Sequence, residues 1–481
     1  MKRILAAALL ILFMFTSALA EETIVFRLPS IPPGTPEYNP AEPEKLIPDQ
    51  LIAKSAILLE ADGGAVIFEK EPDVQMFPAS TTKILTVLLT LQACDDLNEM
   101  VVFSNRAANP PAGSSTGRFK EGEEVPLIDV LYATMLVSAN DGALALAEHV
   151  SGSVEAFVDY MNRAAAIFGC TGTHFSNPHG FHAFDHYTTA RDLSTIARIA
   201  MENEEFKKIA GTTSWLLPKT NMQKARTLTS ENWFIIPNAS DEKGQLYFPA
   251  GTGIKTGWTN AAGRCFVGSA SQDGVNLISV VLYSGDDNRY LDTIKMMNYG
   301  FSQYVSVTPA QLFSLSPLAI ETTNFSMTDP GLGQLTLFLK PVEDVEHASV
   351  TINKNDLDAY ARNFRRQCII TYTRDFSAPI AYGEEFGTLI YIPGEGTTIE
   401  YKMIASRSVE VRENAPKSIE QIEAEAYADP NPFPPLSIEL VLTLAWPFIA
   451  LIALIVVLRK LFKRRRMKLA KIPDPIRRRF K

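Results

Sequence analysis

The hydrophobic pattern divides the chain into segments of different period. Ala53–Leu59 and Ala65–Glu69 are short apolar runs flanking Asp62-Gly63-Gly64, which predicts a β-hairpin. Ile84–Ala93 predicts an apolar helix, and Leu127–Val137 and Gly142–Val150 predict two more, joined through a polar turn. Gly263–Ala270 and Val275–Tyr283 predict a second hairpin, turning near Gln272-Asp273-Gly274. Strands, then helices, then strands imply a sheet covered by helices, α+β in class, over residues 50–305. Residues 308–410 differ. Alternating runs at Leu335–Leu339, Ala348–Ile352, Cys368–Tyr372 and Gly387–Ile392 are broken by Gly, Pro and Asp, which predicts a separate small β domain.

The flanks lack such periodicity. Lys2 and Arg3 precede the apolar run Ile4–Phe15, and Ala18-Leu19-Ala20 offers a cleavage site, so 1–20 is predicted to be a secretory signal. Seven prolines in 28–49 make 21–49 an expected extended linker without packing. Residues 411–439 turn acidic and then proline-rich, as in a stalk. Leu440–Leu458 is 19 residues without a charge, enough to span a bilayer, with Pro447 tolerable inside it. Arg459, Lys460, Lys463, Arg464, Arg465 and Arg466 follow at once, which places the tail 459–481 in the cytoplasm and the body outside.

Composition narrows the function classes. The chain has 481 residues, 46% hydrophobic and 21% charged, which is globular and long enough for about three domains. Its net charge of −9 hides an asymmetry: 459–481 holds twelve Lys/Arg and one Asp, and 21–458 carries −22. An acidic body has no surface to displace phosphate counterions, which argues against nucleic acid as a partner. Cys94, Cys170, Cys265 and Cys368 are widely spaced, show no disulfide framework and read as small buried side chains.

Three short motifs carry chemistry. Ser-x-x-Lys occurs twice. Ser240-Asp241-Glu242-Lys243 lies in a polar turn and reads as a solvated loop. Ser80-Thr81-Thr82-Lys83 opens an apolar helix, where residues i and i+3 share a face, so Lys83 can reach the Ser80 hydroxyl. Free N–H groups there favour a developing alkoxide, which makes an activated nucleophile. The plainer alternative is that Ser80 caps the helix. Ser138-Ala139-Asn140 sits in the turn between two helices, where a hydroxyl can relay protons and an amide can orient a peptide. Its alternative is again capping, by Asn140 or Asp141, and Ser-x-Asn recurs at Ser230-Glu231-Asn232. Lys255-Thr256-Gly257 precedes the second hairpin; Gly257 admits a ligand close to an edge strand, while Lys255 and Thr256 suit a carboxylate. Otherwise Lys255 is an ordinary strand-edge lysine.

Their order, Ser-x-x-Lys, Ser-x-Asn, Lys-Thr-Gly, resembles that of penicillin-binding proteins and serine β-lactamases. The flanks Phe77-Pro78-Ala79, His174-Phe175-Ser176-Asn177-Pro178-His179-Gly180, Thr189-Ala190-Arg191-Asp192 and Gly253-Ile254 resemble the low-molecular-mass penicillin-binding proteins, the D-alanyl-D-alanine carboxypeptidases. The resemblance covers about 50–305, and the β domain resembles the family's second domain less specifically. It implies a penicillin-sensitive serine peptidase without a cofactor, acting on stem peptides that end in D-Ala-D-Ala. It implies Ser80 as nucleophile, Lys83 as neutral base, Ser138 as proton relay and Asn140 as the holder of the substrate amide. Lys255, Thr256 and Arg289 would receive the carboxylate, and the backbone N–H groups of Ser80 and Trp258 would form the oxyanion hole. The family usually attaches by an amphipathic C-terminal helix, where this chain has a spanning segment and basic tail.

Other readings remain. Four histidines, His174, His179, His182 and His186, fall within 13 residues, but no His-Glu-x-x-His helix accompanies them. A β-lactamase would share the three motifs and leave the linker, second domain and span unexplained. A D-alanyl endopeptidase would use the same acyl-enzyme. A catalytically silent wall-binding scaffold would keep the fold, although intact motifs argue against it.

Overall fold

The computed structural model describes residues 29–237, 242–342, 349–394 and 397–412, with further positions at 423, 446, 450–461 and 463. The predicted signal segment lies outside them. Two compact units emerge. One holds the chain up to Glu321 with Gln334–Phe376 and Ala381–Ser408; the other takes Thr322–Gly333, Ser377–Ile380 and the chain from Val409.

The first unit is built on an antiparallel sheet. Its strands are β1 (Ser55–Glu60), β2 (Val66–Lys70), β7 (Gly251–Thr259), β8 (Gly263–Gln272) and β9 (Val275–Ser284), in the order β2-β1-β9-β8-β7. Both predicted hairpins are present. β1 is buried at every position because both sheet faces are covered. Ile57 and Leu59 face one core with Val267, Ile278 and Val280; Ala56 and Leu58 face another with Phe266, Leu277 and Val281.

The first core is filled by helices α1 (Lys83–Ala93), α3 (Leu127–Leu136), α4 (Asn140–Ser151), α5 (Val154–Ile167), α6 (Ala190–Ala200) and α7 (Glu204–Ala210). The short helix α2 (Asn105–Ala108) lies between the minor strands β3 (Met100–Val102) and β4 (Glu124–Pro126). β5 (Ser214–Leu217) and β6 (Arg226–Thr229) form a separate ribbon. Every residue of α1 from Lys83 to Thr90 is buried, so this helix has no polar face to read in the sequence. The second core is covered by α8 (Asn288–Gln303), through Tyr290, Met296 and Met297.

The expected unpacked linker over 21–49 needs correction in its described part. Pro43–Lys45 and Pro48–Gln50 form 3-10 turns, and Leu46, 5% exposed, joins the second core, with Tyr38 packed against it. Pro at the first position of each turn fixes φ without losing a needed N–H, so these prolines order the segment.

A second five-stranded sheet, with order β11-β12-β16-β15-β14, contains β11 (Ala319–Glu321), β12 (Gln334–Pro341), β14 (Cys368–Tyr372), β15 (Glu385–Gly394) and β16 (Thr397–Ala405). Its helices are α9 (Pro309–Leu315) and α10 (Leu357–Phe364). The run at 348–352 is not part of this sheet. It supplies β13 (Val350–Asn353), which pairs with β10 (Tyr304–Val307) directly after α8, so the β region is not cut off at 308. In the second unit, isolated bridges join Thr323 to Ser377, Phe325 to Val411 and Ile380 to Val409.

All four cysteines are free; Cys170 and Cys265 are buried as expected, but Cys94 and Cys368 are only half-buried. Residues 450–461 are helical and exposed. Among the described residues no helix is long and apolar enough to cross a membrane. Most of 440–458 and of the tail lies outside the described residues.

Candidate active site

The first motif sits where the chain enters α1. A 3-10 turn, Ala79–Thr82, runs straight into the helix, so Ser80 stands one turn before it. Ala79 has φ +50°, a left-handed conformation that costs a residue with a β-carbon about 1–2 kcal/mol. Surrounding bonds hold it there. The Thr81 hydroxyl donates to Pro78 O at 2.7 Å and the Thr82 hydroxyl to Ala79 O at 2.8 Å. Ser80 does not cap the helix. Its Oγ lies 3.1 Å from Lys83 Nζ.

Lys83 is fully buried, and its other two contacts are acceptors: Asn140 Oδ1 and the His179 carbonyl, each at 2.6 Å. Burial, then the charge of Lys255, push its pKa well below 10.5, against an opposing pull from Asp141 and Glu231. A neutral amine has two N–H donors and one lone pair. Asn140 and His179 take the two donors. In that neutral form the lone pair would face the Ser80 hydroxyl, the arrangement a general base requires.

Asn140 opens α4 without capping it, because its side chain is spent on the site. Oδ1 accepts from Lys83, and Nδ2 donates to Ser114 Oγ at 2.9 Å. The expected amide-holding role therefore competes with a positioning role already filled. Asp141 is one residue inside the helix rather than at its N-cap, yet its carboxylate accepts from the first-turn Gly142 N at 3.0 Å and, across to the loop that carries Ser114, from Gly117 N at 2.8 Å and Phe119 N at 3.1 Å. Ser138 is 5% exposed with φ +57° in the turn between α3 and α4. Among the described residues it makes no hydrogen bond to Ser80 or Lys83.

The third motif lies on β7, the edge strand. Lys255 is no ordinary edge lysine. It is 2% exposed and donates to Thr256 O at 3.0 Å; burial, then the Arg289 charge, lower its pKa to about 8, with Glu231 opposing. Thr256 is 8% exposed, and Trp258 is half exposed beneath the Arg264 guanidinium, 4.8 Å from its ring centre. A β-carbon on Gly257 would lie 3.1 Å from Ser80 N, and one on Gly180, at φ +83°, would lie 2.9 Å from Ser80 N and 1.8 Å from Ala79 O. Two glycines thus keep clear the space in front of the Ser80 N–H. Arg289, in the first turn of α8, donates to the Tyr290 hydroxyl at 3.2 Å, while its buried Nε makes no hydrogen bond among the described residues.

Sequence reasoning missed Ser114, the Asp141 loop and Glu231, which acts on both lysines. Gly113-Ser114-Ser115 belongs to none of the motifs, and Glu231 lies in the second Ser-x-Asn triplet, which has no family flanks. In the second Ser-x-x-Lys, Lys243 pairs with Asp287 at 2.5 Å, and Ser240 is outside the described residues.

The clustered histidines are structural in their contacts. Ser176 N donates to His186 Nδ1 at 3.0 Å, so Nε2 carries the proton and donates to Thr82 Oγ1 at 2.8 Å. His179 Nδ1 accepts from Phe181 N at 3.0 Å, and His174 Nδ1 lies 2.5 Å from Asp185 O. Burial depresses His179 and takes His186 to about 3. A cavity of about 910 Å³, bordered by Arg198, Lys207, Gly251 and Asn276, includes none of the motif residues.

A family model described as D-alanyl-D-alanine carboxypeptidase matches residues 41–286. The chain belongs to this family. It is 30% identical over 369 residues to the D-alanyl-D-alanine carboxypeptidase DacF of Bacillus subtilis, covering 74% of this chain and 85% of the relative. It is also 30% identical over 380 residues to DacC of Escherichia coli, covering 75% and 84%. Among solved structures, the D-alanyl-D-alanine carboxypeptidase DacD from Francisella tularensis aligns at TM-score 0.47 and 24% identity, over 82% of this chain and 98% of that one. The carboxypeptidase is a serine-type hydrolase of peptidoglycan, as the resemblance implied.

Proposed function

We propose that Ser80 is the nucleophile with which this carboxypeptidase removes the terminal D-alanine from stem peptides ending in D-Ala-D-Ala, and that β-lactams acylate the same hydroxyl. One observation carries the assignment: a fully buried Lys83 lies 3.1 Å from Ser80 Oγ with its other contacts both acceptors. Lys83 takes the Ser80 proton as Oγ attacks the penultimate D-alanine carbonyl. The oxyanion forms against the Ser80 and Trp258 N–H groups, and Gly180 and Gly257 leave room for it. Ser138, buried in the α3–α4 turn, passes the proton to the leaving D-alanine amine, and Asn140 positions Lys83 through Oδ1, its Nδ2 turning from Ser114 to the substrate amide when the peptide binds. The terminal carboxylate meets Lys255, Thr256 and the free Nε of Arg289. Water then releases the acyl-enzyme.

The signal pattern in 1–20 and the charge-free run 440–458 before a basic tail support a single-pass protein of the bacterial cell membrane. In that arrangement 50–305 works outside, above the stalk 411–439, and 459–481 is cytoplasmic. The test uses the full-length protein and its Ser80→Ala variant with a peptide ending in D-Ala-D-Ala. Wild type releases D-alanine and gains the mass of one penicillin; the variant does neither. Normal release from Ser80→Ala would sink the assignment. Fast turnover of bound penicillin would instead favour a β-lactamase, and cleavage of cross-linked dimers an endopeptidase.

A further inference from the structure

Helices α1 and α4 are joined at both ends. At their N-terminal ends Lys83 of α1 bonds Asn140 of α4 at 2.6 Å. At the far ends, Cys94 is the C-cap of α1 and His149 lies in the last turn of α4. Between them comes Glu99, at the entry to β3, with its carboxylate 3.1 Å from His149 Nε2. One sulfur, one imidazole nitrogen and one carboxylate oxygen from these residues all lie within 4.8 Å of one another, and each side chain is only half-buried.

We propose that Cys94, Glu99 and His149 form a structural zinc site that pins the C-terminal ends of the two helices whose N-terminal ends carry the reactive groups. Thiolate, imidazole and carboxylate are the ligand types of zinc, whereas calcium and magnesium need several oxygens. Bond lengths of 2.0–2.3 Å put tetrahedral ligand atoms roughly 3.3–3.6 Å apart. The Glu99–His149 pair is already near that separation, and the sulfur, within 4.8 Å of both, needs a shift of at most about 1.5 Å. Binding forms Zn–S, Zn–N and Zn–O bonds and releases the thiol proton to solvent, with water in the fourth position. Both helices end here, and helix C-termini carry partial negative charge that favours a cation. The site is distinct from the catalytic centre: α1 has 11 residues, so Cys94 lies about 16 Å along the helix from Lys83. It also shares no residue with the clustered histidines at 174–186.

The test uses reduced, chelator-stripped full-length protein. Co²⁺ reports coordination by its visible tetrahedral bands and a near-ultraviolet thiolate charge-transfer band; Zn²⁺ affinity follows from competition with a chromophoric chelator. Wild type is expected to bind one equivalent with the thiolate band. Cys94→Ser should abolish the band, and His149→Gln should weaken zinc binding at least ~10-fold. Cys368→Ser and His182→Asn should leave both unchanged. Zinc at 100 times its Kd should favour the folded state of wild type about 100-fold, read as a rise in Tm that Cys94→Ser lacks. Chelation should lower that Tm and leave Ser80 acylation at 25 °C unaltered. No zinc binding by wild type, no thiolate band, or equal affinity in Cys94→Ser would each overturn the proposal.

Discussion

Replacing Asn140 by Asp tests the base directly. The substitution is nearly isosteric and puts a carboxylate oxygen where Oδ1 now lies, 2.6 Å from Lys83 Nζ. Two unit charges at that distance attract by about 6 kcal/mol at an effective dielectric of ~20. Burying the new carboxylate costs several kcal/mol of desolvation, which leaves on the order of 3 kcal/mol in favour of the ammonium. At ~1.4 kcal/mol per tenfold, the neutral amine becomes roughly 100-fold scarcer. The assay is the second-order rate of Ser80 acylation by a fluorescent penicillin, measured against pH. Asn140→Asp should be slower by about 100-fold on the acidic limb of the wild-type profile, where Lys83 is mostly protonated. The sign of the pH dependence is set: the new carboxylate raises the Lys83 pKa, so the loss should shrink as pH rises. Asn140→Ala removes the same acceptor without adding charge; it should lose only about 1 kcal/mol, roughly fivefold, with no upward displacement of the acidic limb. An acidic limb left where it is in wild type, or an Asn140→Asp enzyme equally impaired at every pH, would refute Lys83 as a base that works neutral.

The remaining predictions concern the surroundings of that pair. Burial holds His186 at about 3 in the folded state against 6.5 for the free side chain, so the unfolded chain takes up its proton first. Its stabilising contribution is present above pH 6.5 and is lost as pH falls towards 3; between pH 7 and 4 this amounts to about 3 kcal/mol. Urea unfolding of His186→Gln should show that much less acid sensitivity, and an unchanged pH slope would exclude His186 as the sensor. Arg289→Leu should lower kcat/KM about 10–100-fold for a peptide with a free terminal carboxylate and leave its amidated analogue unchanged. An equal fall for both substrates would make Arg289 structural.

Much of the site was legible because its chemistry is local. Ser80 and Lys83 share a helical face by spacing alone, and Ser138-Ala139-Asn140 falls in a turn because apolar helices flank it. What those residues touch was not legible. Ser114 is 26 positions from Asn140, and the His179 carbonyl is 96 from Lys83; no pattern along the chain records such distances. β16, the central strand of the second sheet, buries Ile399, Tyr401, Met403 and Ala405 but lies outside the runs read from the sequence, and its pairing with β12 and β15 comes only from folding.

The linker shows the limit from the other side. Composition along 28–49 gives proline content correctly, but whether a proline segment is extended or docked depends on what surface lies beside it, and α8 with the second core supplies one. The sequence by itself determined the two hairpins, the three helices around the first two motifs, the motifs themselves and the family. Only the tertiary structure decided the state of the reactive amine. A lysine is a cation in water; here folding removes its water, brings the Lys255 charge near and sets its Nζ against two fixed acceptors, and burial with that charge holds its pKa well below 10.5.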